Sequence, residues 1–488
     1  MNGNKFLLTY EESRSLDQFT ITEKKIPSSI LMGMAGVSIF QEYREKFSGK
    51  KILCLCGSGN NGGDGLILSH LFFQAGFSVE VFVKKGNHSL AFQFYRKLLS
   101  RTFIPVSNIE TFHPNYYIQE NVLIIDALLG TGFQTPVKED IAQYIRAINY
   151  LKKKNSLCQV LSLDTPSGYS PDSQVQVHPD YLAEIGSKKM ETLFLRLEEN
   201  QISFHPIGFS IEEFISLQKT NVRFFQFEKP KREELVSITK RKNDSHKYLN
   251  SAISFIGGSE GMSGAIYLAI KMFHRLGGGI SKLFTHSTVT RNLILKEDPS
   301  FMVDIISSSS VHDKFLHKSE VVLIGPGLRI EELKISLSEM IRMDSFAILD
   351  AGAISLANEM ELNEKIILTP HLGEFGALVG KKFQNQRDAL NDLIKFSRTK
   401  NVNVLLKGSL NILALPNGEI YFAKTPNPIL AVMGTGDLFA GALAFFLART
   451  KDVTLATRYA IYLLYRTRKI EKKYPTSIEI LNYIGEEL

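Results

Sequence analysis

Two glycine-rich segments, each carrying a carboxylate, constrain this chain more than any other feature. Gly57-Ser58-Gly59-Asn60-Asn61-Gly62-Gly63-Asp64-Gly65 follows the apolar run Lys51–Cys56, and Gly434-Thr435-Gly436-Asp437 opens a second apolar helical pattern. A helix start presents unpaired backbone N–H groups and the positive end of its dipole to an anion. Glycine lets the backbone approach a ligand closely. The first segment lacks a Lys-Ser/Thr ending, so it is not a Walker A loop, and its Asn-Asn and Asp fit a dinucleotide fingerprint poorly. The chain therefore reads as built twice to hold phosphate-bearing molecules, with a carboxylate beside each cradle. A purely structural glycine turn is the competing reading of the first segment.

The first half alternates strand and helix patterns. Lys51–Cys56, Val79–Val83, Asn121–Leu128 and Gln159–Asp164 read as buried strands, and Leu66–Ala75 as a helix closed by Gly76. Continuous apolar strands separated by helices predict a parallel sheet covered on both faces, with ligands beyond the carboxyl ends of the strands. Asp64, Asp126 and Asp164 all fall there. The charged stretch 225–243, with Pro230, reads as an interdomain connection, which divides the chain into 1–235 and 236–488. A second alternating region follows. Its strands are Ser251–Ile256, Val321–Ile324, Phe346–Leu349, Lys365–Leu368, Val402–Leu406 and Asn411–Leu415, and its helices include one from about Ala265 and one over Thr435–Leu447.

Composition narrows the function classes. The 488 residues are 44% hydrophobic and 22% charged, ample for more than one core. The net charge of +7 favours anionic ligands, but the basic residues are dispersed, so no nucleic-acid partner is expected. Cys54, Cys56 and Cys158 form neither a disulfide framework nor a zinc pattern and read as core filling in a reducing setting. Met-Asn-Gly-Asn-Lys at the start is unlike a signal peptide, and a cytoplasmic location is expected. The apolar run 429–448 contains Asp437 and glycines, so it reads as a buried loop-helix unit, with no membrane partner.

Asn60-Asn61-Gly62-Gly63-Asp64-Gly65 resembles the signature of the NAD(P)H-hydrate epimerases, the N-terminal YjeF family. Asp126-Ala127-Leu128-Leu129-Gly130-Thr131-Gly132, Asp164-Thr165-Pro166-Ser167-Gly168 and Leu31-Met32-Gly33-Met34-Ala35-Gly36 resemble its other blocks, over roughly residues 5–225. The resemblance implies a Rossmann-like doubly wound sheet that interconverts the R and S epimers of hydrated NADH or NADPH. It implies substrate contacts from Asn60, Asn61, Gly62, Gly63 and Asp64, from Gly130, Thr131, Gly132, Phe133, Gln134, Thr135 and Pro136, and from Asp164. It also implies a potassium ion on Asn61, Asp126 and Ser167, and catalytic roles for Asp164 and Lys85. A solvated lysine beside Lys84 is the competing reading of Lys85, and plain helix capping that of Asp126 and Asp164. Gly33 departs from the leader pattern, which carries an acid there. Asp180–Lys189 matches its segment only loosely.

Gly434–Asp437 resembles the anion hole and base of ribokinase-fold kinases. With Gly257-Gly258-Ser259, Gly264-Ala265, Gly325-Pro326-Gly327, Thr369-Pro370-His371 with Glu374, Lys407-Gly408 and the upstream Ser245-His246-Lys247, residues 236–488 resemble the ADP/ATP-dependent NAD(P)H-hydrate dehydratases. The resemblance implies a ribokinase-like α/β domain that phosphorylates the hydroxyl of the S hydrate and eliminates phosphate, with Mg²⁺ and with ADP or ATP as co-substrate. Asp437 is the implied base, beside the amides of Gly434, Thr435 and Gly436. Lys407, Gly408, Ser409, Leu410 and Asn411 would contact the nucleotide, and Ala265, Gly327 and His371 the hydrate. Arg329, Gly352 and Met433 depart from that pattern. His371 as a satisfied loop histidine and Lys407 as an exposed strand end are the competing readings.

The expectation is thus an α/β chain with two active sites on hydrated dinucleotides, acting as a homo-oligomer. A ribokinase-like small-molecule kinase with a non-catalytic N-terminal binding domain is the alternative.

Overall fold

The run Lys51–Cys56 forms strand β1 of a parallel sheet, and its side chains alternate between two cores. Ile52, Cys54 and Cys56 pack on one face, Leu53 and Leu55 on the other. The sheet continues with β2 (Val79–Val83), β3 (Val106–Asn108), β4 (Val122–Ala127), β5 (Gln159–Leu163), β6 (Tyr181–Ile185) and β7 (Ile202–His205). The spatial order is β3-β2-β1-β4-β5-β6-β7, every pairing parallel. The order reverses between β1 and β4, so a crevice opens at their carboxyl ends.

This is the architecture of a computed structural model whose description covers residues 6–487 apart from 134, 171–172, 219–221, 242–250, 330, 332–336 and 342–343. Gln134 and Ser245-His246-Lys247 therefore lie outside the described residues.

The expected helix over Leu66–Ala75 begins six residues earlier, as Asn60–Gln74. Asn60–Gly65 is thus not a loop but the first turns of that helix, with Gly59 at its N-cap. The glycines permit this because the helix packs tightly against the sheet. A Cβ on Gly65 would sit 2.7 Å from Ala127 Cβ and 2.9 Å from Cys54 Sγ. All three cysteines are free and buried.

The second unit holds β8 (Arg223–Gln226), β9 (Ala252–Ile256), β10 (Ile280–Thr285), β11 (Met302–Ile305), β12 (Val321–Ile324), β13 (Phe346–Leu349), β14 (Ile366–Leu368), β15 (Asn403–Leu406), β16 (Leu410–Ala414) and β17 (Glu419–Lys424). Its order is β8-β17-β16-β15-β14-β13-β12-β9-β10-β11, parallel except at β15-β16 and β16-β17. The chain divides into compact units Met1–Thr220 and Asn221–Leu488 rather than near residue 235. The stretch expected as a linker is structured within the second unit. β8 pairs with β17, Phe225 and Phe227 stack on Tyr421, and Leu235 of helix Arg232–Thr239 is fully buried. The charges of this stretch mask its aromatic residues, which carry the packing.

Helix Thr435–Thr450 accounts for the apolar run: Leu438 to Ala448 are all buried in the second core. Among the described residues, no helix is long and apolar enough to cross a membrane. This helix lies against helix Ser263–Arg275 at Gly441, where a Cβ would fall 2.2 Å from the Ala269 carbonyl oxygen. Gly441→Ala should therefore destabilise the second unit by about 1–3 kcal/mol, the range for overpacking. Gly264→Ala, which meets nothing within 4 Å, should be neutral or slightly stabilising. Denaturant unfolding of the two variants checks the contrast.

Candidate active sites

At the carboxyl ends of β1, β4 and β5 the first unit encloses a cavity of about 730 Å³, a volume suited to a dinucleotide-sized ligand. Asn60, Asn61 and Asp64 line it from the helix start, Gly130–Phe133 from the loop after β4, and Asp164 from the end of β5. The two strand ends approach so closely that a Cβ on Gly57 would lie 1.9 Å from the Leu128 carbonyl oxygen. Gly62 and Gly63 do not line the cavity. They let the helix pack against the Gly57 carbonyl and Met32, at 2.2 and 2.7 Å from the Cβ each lacks. Thr135 and Pro136 are exposed outside the cavity lining.

Asp126 is fully buried but well satisfied. It accepts hydrogen bonds from Ser162 Oγ (2.7 Å), Ser167 N (2.9 Å), Ser167 Oγ (2.5 Å) and Leu128 N (3.4 Å). Burial raises its pKa, and these bonds oppose the rise. Ser167 Oγ also accepts from Leu129 N at 2.8 Å, and Asn61 Nδ2 donates to the Leu129 carbonyl at 2.9 Å. Asn61 Oδ1 is buried with no hydrogen-bond partner. An orphaned carbonyl oxygen beside a carboxylate and a hydroxyl is a hard-oxygen donor set.

Asp164 takes a left-handed backbone conformation (φ 64°), which side chains other than glycine rarely adopt. Its Oδ1 accepts from Lys189 Nζ, whose ammonium also donates to the Ile185 carbonyl at 2.7 Å. Lys189 is fully buried. It is held from behind by its own N–H to Glu184 Oε1 at 3.0 Å. The family resemblance implies Lys85 for this neighbourhood, with a solvated lysine as the competing reading. The structure places Lys85 with 77% of its side chain exposed, 3.7 Å from Glu110 and outside the cavity lining. It lies beyond the end of β2, where Lys84 takes the inward position and pairs with Asp140 at 2.7 Å.

Two further acids face Asp164. Burial raises the pKa of Asp64 well above its ordinary value, Asp164 and Asp17 add to the rise, and Lys189 opposes it. Asp17, from helix Tyr10–Thr22, lines the cavity with its side chain exposed to the cavity's solvent. Burial followed by Asp164 pushes it up to about 6, with Lys189 opposing. The sequence reading contained no role for Asp17. Its only signal is an acid on a helix that opens with a Thr9–Glu12 capping box.

In the second unit Asp437 sits in the first turn of helix Thr435–Thr450 behind Gly434, which caps it at φ 95°. A Cβ on Gly434 would meet Leu268 at 2.5 Å and Ser477 Oγ at 2.8 Å, whereas Gly436 faces open space. Burial pushes Asp437 up to about 6, Asp350 adds to the rise, and Lys407 opposes it. Asp350 ends β13 almost fully buried and accepts from Lys407 Nζ (2.7 Å) and Thr369 Oγ1 (2.6 Å). Lys407 is therefore not an exposed strand end. Asp350, which bonds Lys407 and raises Asp437, has no role in the sequence reading.

Ala265 and Gly327 adjoin, a Cβ on Gly327 falling 3.2 Å from Ala265 Cβ. His371 pairs in a β-bridge with Lys407, and its Nδ1 accepts from Gly373 N (3.0 Å) and Glu374 N (3.3 Å) as a helix cap. Glu374 returns the bond to His371 N at 2.8 Å, so that oxygen is committed to the cap. Gly408 and Ser409 are exposed, Leu410 is buried, and Asn411 Nδ2 donates to Thr425 Oγ1 at 3.0 Å.

Comparison with known proteins matches both units. A family model described as YjeF-related protein N-terminus matches residues 28–186, and one described as NAD(P)H-hydrate dehydratase matches 253–469. A bifunctional NAD(P)H-hydrate repair enzyme Nnr of Methanospirillum hungatei is 30% identical, over 91% of this chain and 84% of its own. A protein of the same description from Moorella thermoacetica is 26% identical, over 94% and 91%. A solved ADP/ATP-dependent NAD(P)H-hydrate dehydratase from Bacillus subtilis is 25% identical, over 53% of this chain and 96% of its own, with a TM-score of 0.46. With both units matched in order and a relative spanning most of its length, this chain belongs to the family of bifunctional NAD(P)H-hydrate repair enzymes.

Proposed function

We propose that the first unit interconverts the R and S epimers of hydrated NADH or NADPH, and that the second dehydrates the S form to NAD(P)H while consuming ADP or ATP. The observation that carries this reading is the repeated pairing of a glycine-rich helix start with a carboxylate: Asn60–Asp64 with Asp164 at the end of β5, and Gly434–Gly436 with Asp437 in the first turn of the helix itself.

In the first unit the hydrate lies against Asn60, Asn61 and Asp64 and the loop from Gly130. Its hydroxyl-bearing ring carbon is an aminal, so epimerisation needs proton transfer at the hydroxyl. Asp164, oriented by the Lys189 ammonium, is the acceptor. Asn61, Asp126 and Ser167 would hold a potassium ion, which the orphaned Asn61 Oδ1 suits. The ion would supply a fixed positive charge tying the helix start to the loop after β4.

In the second unit Asp437 takes the proton of the hydrate's hydroxyl as the phosphoryl group arrives. The amides of Gly434, Thr435 and Gly436 stabilise the charge on the transferring group. Ala265, Gly327 and His371 receive the hydrate, and Lys407–Asn411 the nucleotide. Mg²⁺ would neutralise phosphate charge there. Elimination of phosphate then restores the reduced ring.

Recovery of nicotinamide absorbance from an equilibrated mix of hydrate epimers, with magnesium and ADP or ATP, tests the reading. Complete fast recovery is expected; no recovery with either nucleotide overturns it. Asp437→Asn should lower dehydration by about 10²–10⁴-fold. Asp164→Asn should lower R-to-S exchange on the same scale and leave dehydration of purified S hydrate intact. The base must be ionised, so dehydration kcat should rise with pH through about 6 and then level. A kcat flat across that range overturns the role of Asp437. Lys189→Met would strip the half-buried Asp164 of its counter-charge and should cost about 1–3 kcal/mol in unfolding experiments. The corresponding change at exposed Lys85 should stay within about 0.5 kcal/mol.

A further inference from the structure

We infer that Asp17 is a second catalytic carboxylate of the epimerising site, giving a proton to the hydroxyl that leaves the hydrate while Asp164 takes one from the water that returns. This rests on the reading of the first unit as an NAD(P)H-hydrate epimerase.

Inversion at a hydroxyl-bearing carbon by loss and return of water requires a donor on the face of departure and an acceptor on the face of arrival. One fixed carboxylate serves one face. Asp164 and Asp64 both reach the cavity from the sheet side, one from the end of β5 and the other from the helix that follows β1. Asp17 reaches it from a separate element, helix Tyr10–Thr22.

That helix is pinned across the strand ends by three contacts to three different segments. Tyr10 Oη meets Thr165 Oγ1 at 2.5 Å, Ser13 Oγ meets Ser187 Oγ at 3.0 Å, and Arg14 Nη1 donates to the Thr131 carbonyl at 2.6 Å. None of these contacts uses Asp17, which lines the cavity one turn further along. The next helix, Ser28–Tyr43, brings Ser28, Leu31 and Met32 to the cavity and no acid. A side chain at Gly33 would meet Tyr95 Oη at 2.9 Å.

Asp164, Asp64 and Lys189 act on Asp17 or are acted on by it from the sheet side, and the cavity they share is also lined by Arg14 on its own helix and by Lys84, Lys138 and Asp140. Lys189 is fully buried with its ammonium on Asp164 and the Ile185 carbonyl, so it orients the acceptor and is closed off from the cavity. Asp17 touches cavity solvent and can regain a proton there. Burial and Asp164 hold it up to about 6, so it carries a proton nearer neutrality than an ordinary carboxyl.

The step balances. The Asp17 carboxyl transfers its proton to the hydroxyl, the C–O bond breaks, and water departs as the ring-nitrogen lone pair forms C=N. Water then adds to the opposite face, the C=N pair returns to nitrogen, and the Asp164 carboxylate takes the proton released. One water leaves and one enters, and the reverse reaction uses the same two groups with roles exchanged.

The test uses the full chain without nucleotide and purified R hydrate, with S formation followed chromatographically above the buffer rate. Asp17→Asn should lower exchange kcat about 100-fold or more, with KM little changed. Asp17→Glu should recover part of the loss. Wild-type kcat should fall as pH rises through about 6, a limb absent from Asp17→Asn. Denaturant unfolding of each variant beside wild type verifies that the first unit is folded, and the Glu variant decides if the Asn variant is not. Wild-type exchange in both variants, a change in KM alone, or an unchanged pH limb overturns the inference and leaves the epimerase reading standing. A wild-type chain that does not exchange R and S overturns both.

Discussion

Both units depend on one steric constraint, the near-collision of adjacent strand ends. Gly57 lies so close to Leu128 that the carbonyl oxygen occupies the place of a Cβ, at 1.9 Å. Gly325 stands in the same relation to Asp350, at 1.7 Å and with φ 127°. Each approach drives a loop into the crevice of a parallel sheet, where strand ends present backbone groups to a ligand. Helices starting at Asn60 and Thr435 bring their first turns to these places, Asn60, Asn61 and Asp64 lining the first cavity and Asp437 facing Asp350. A methyl group at either glycine would part the strand ends and widen the site that they build.

Around this frame the carboxylates divide by how their charge is compensated. Asp126 is fully buried and carries four donors, and Asp350 is nearly so and carries an ammonium and a hydroxyl. Asp164 has Lys189. These are the arrangements in which a buried carboxylate is tolerable, because the lost hydration is replaced by aimed donors. Asp17, Asp64 and Asp437 are raised by burial, and each is raised further by one of the compensated acids. Asp17 and Asp437, each pushed up to about 6, can hold and release protons nearer neutrality, and they stand at the two places where the proposed chemistry requires it.

Much of this was legible in the sequence. Buried strands such as Lys51–Cys56 and Phe346–Leu349 stand out because both faces are covered and the apolar run is continuous. Asn60–Asp64 and Gly434–Asp437 stand out because several special residues occur together. Helix ends were less legible: Asn60–Gly65 reads as a loop because glycine and asparagine are poor helix formers, yet the close packing of this helix on β1 and β4 outweighs propensity. The β8 strand hid in the same way, its aromatics embedded in a charged segment whose partner, β17, comes nearly two hundred residues later.

The sequence by itself determined the alternation of elements, the two glycine cradles and the identity of the acids at the strand ends, because each is a property of neighbouring residues. Only the tertiary structure decided which charges meet. Lys84, Lys85 and Lys189 are all lysines near strand ends, but the turn of one residue along an extended chain directs Lys84 into the cavity lining and Lys85 to solvent. Lys189 reaches Asp164 because β6 lies beside β5 and the chain turns back after it. Asp17 joins the site for the same reason: its helix is fastened to Thr131, Thr165 and Ser187, contacts between residues more than a hundred positions apart. Such long-range pairing has no local periodicity, so the sequence carries its components without displaying their meeting.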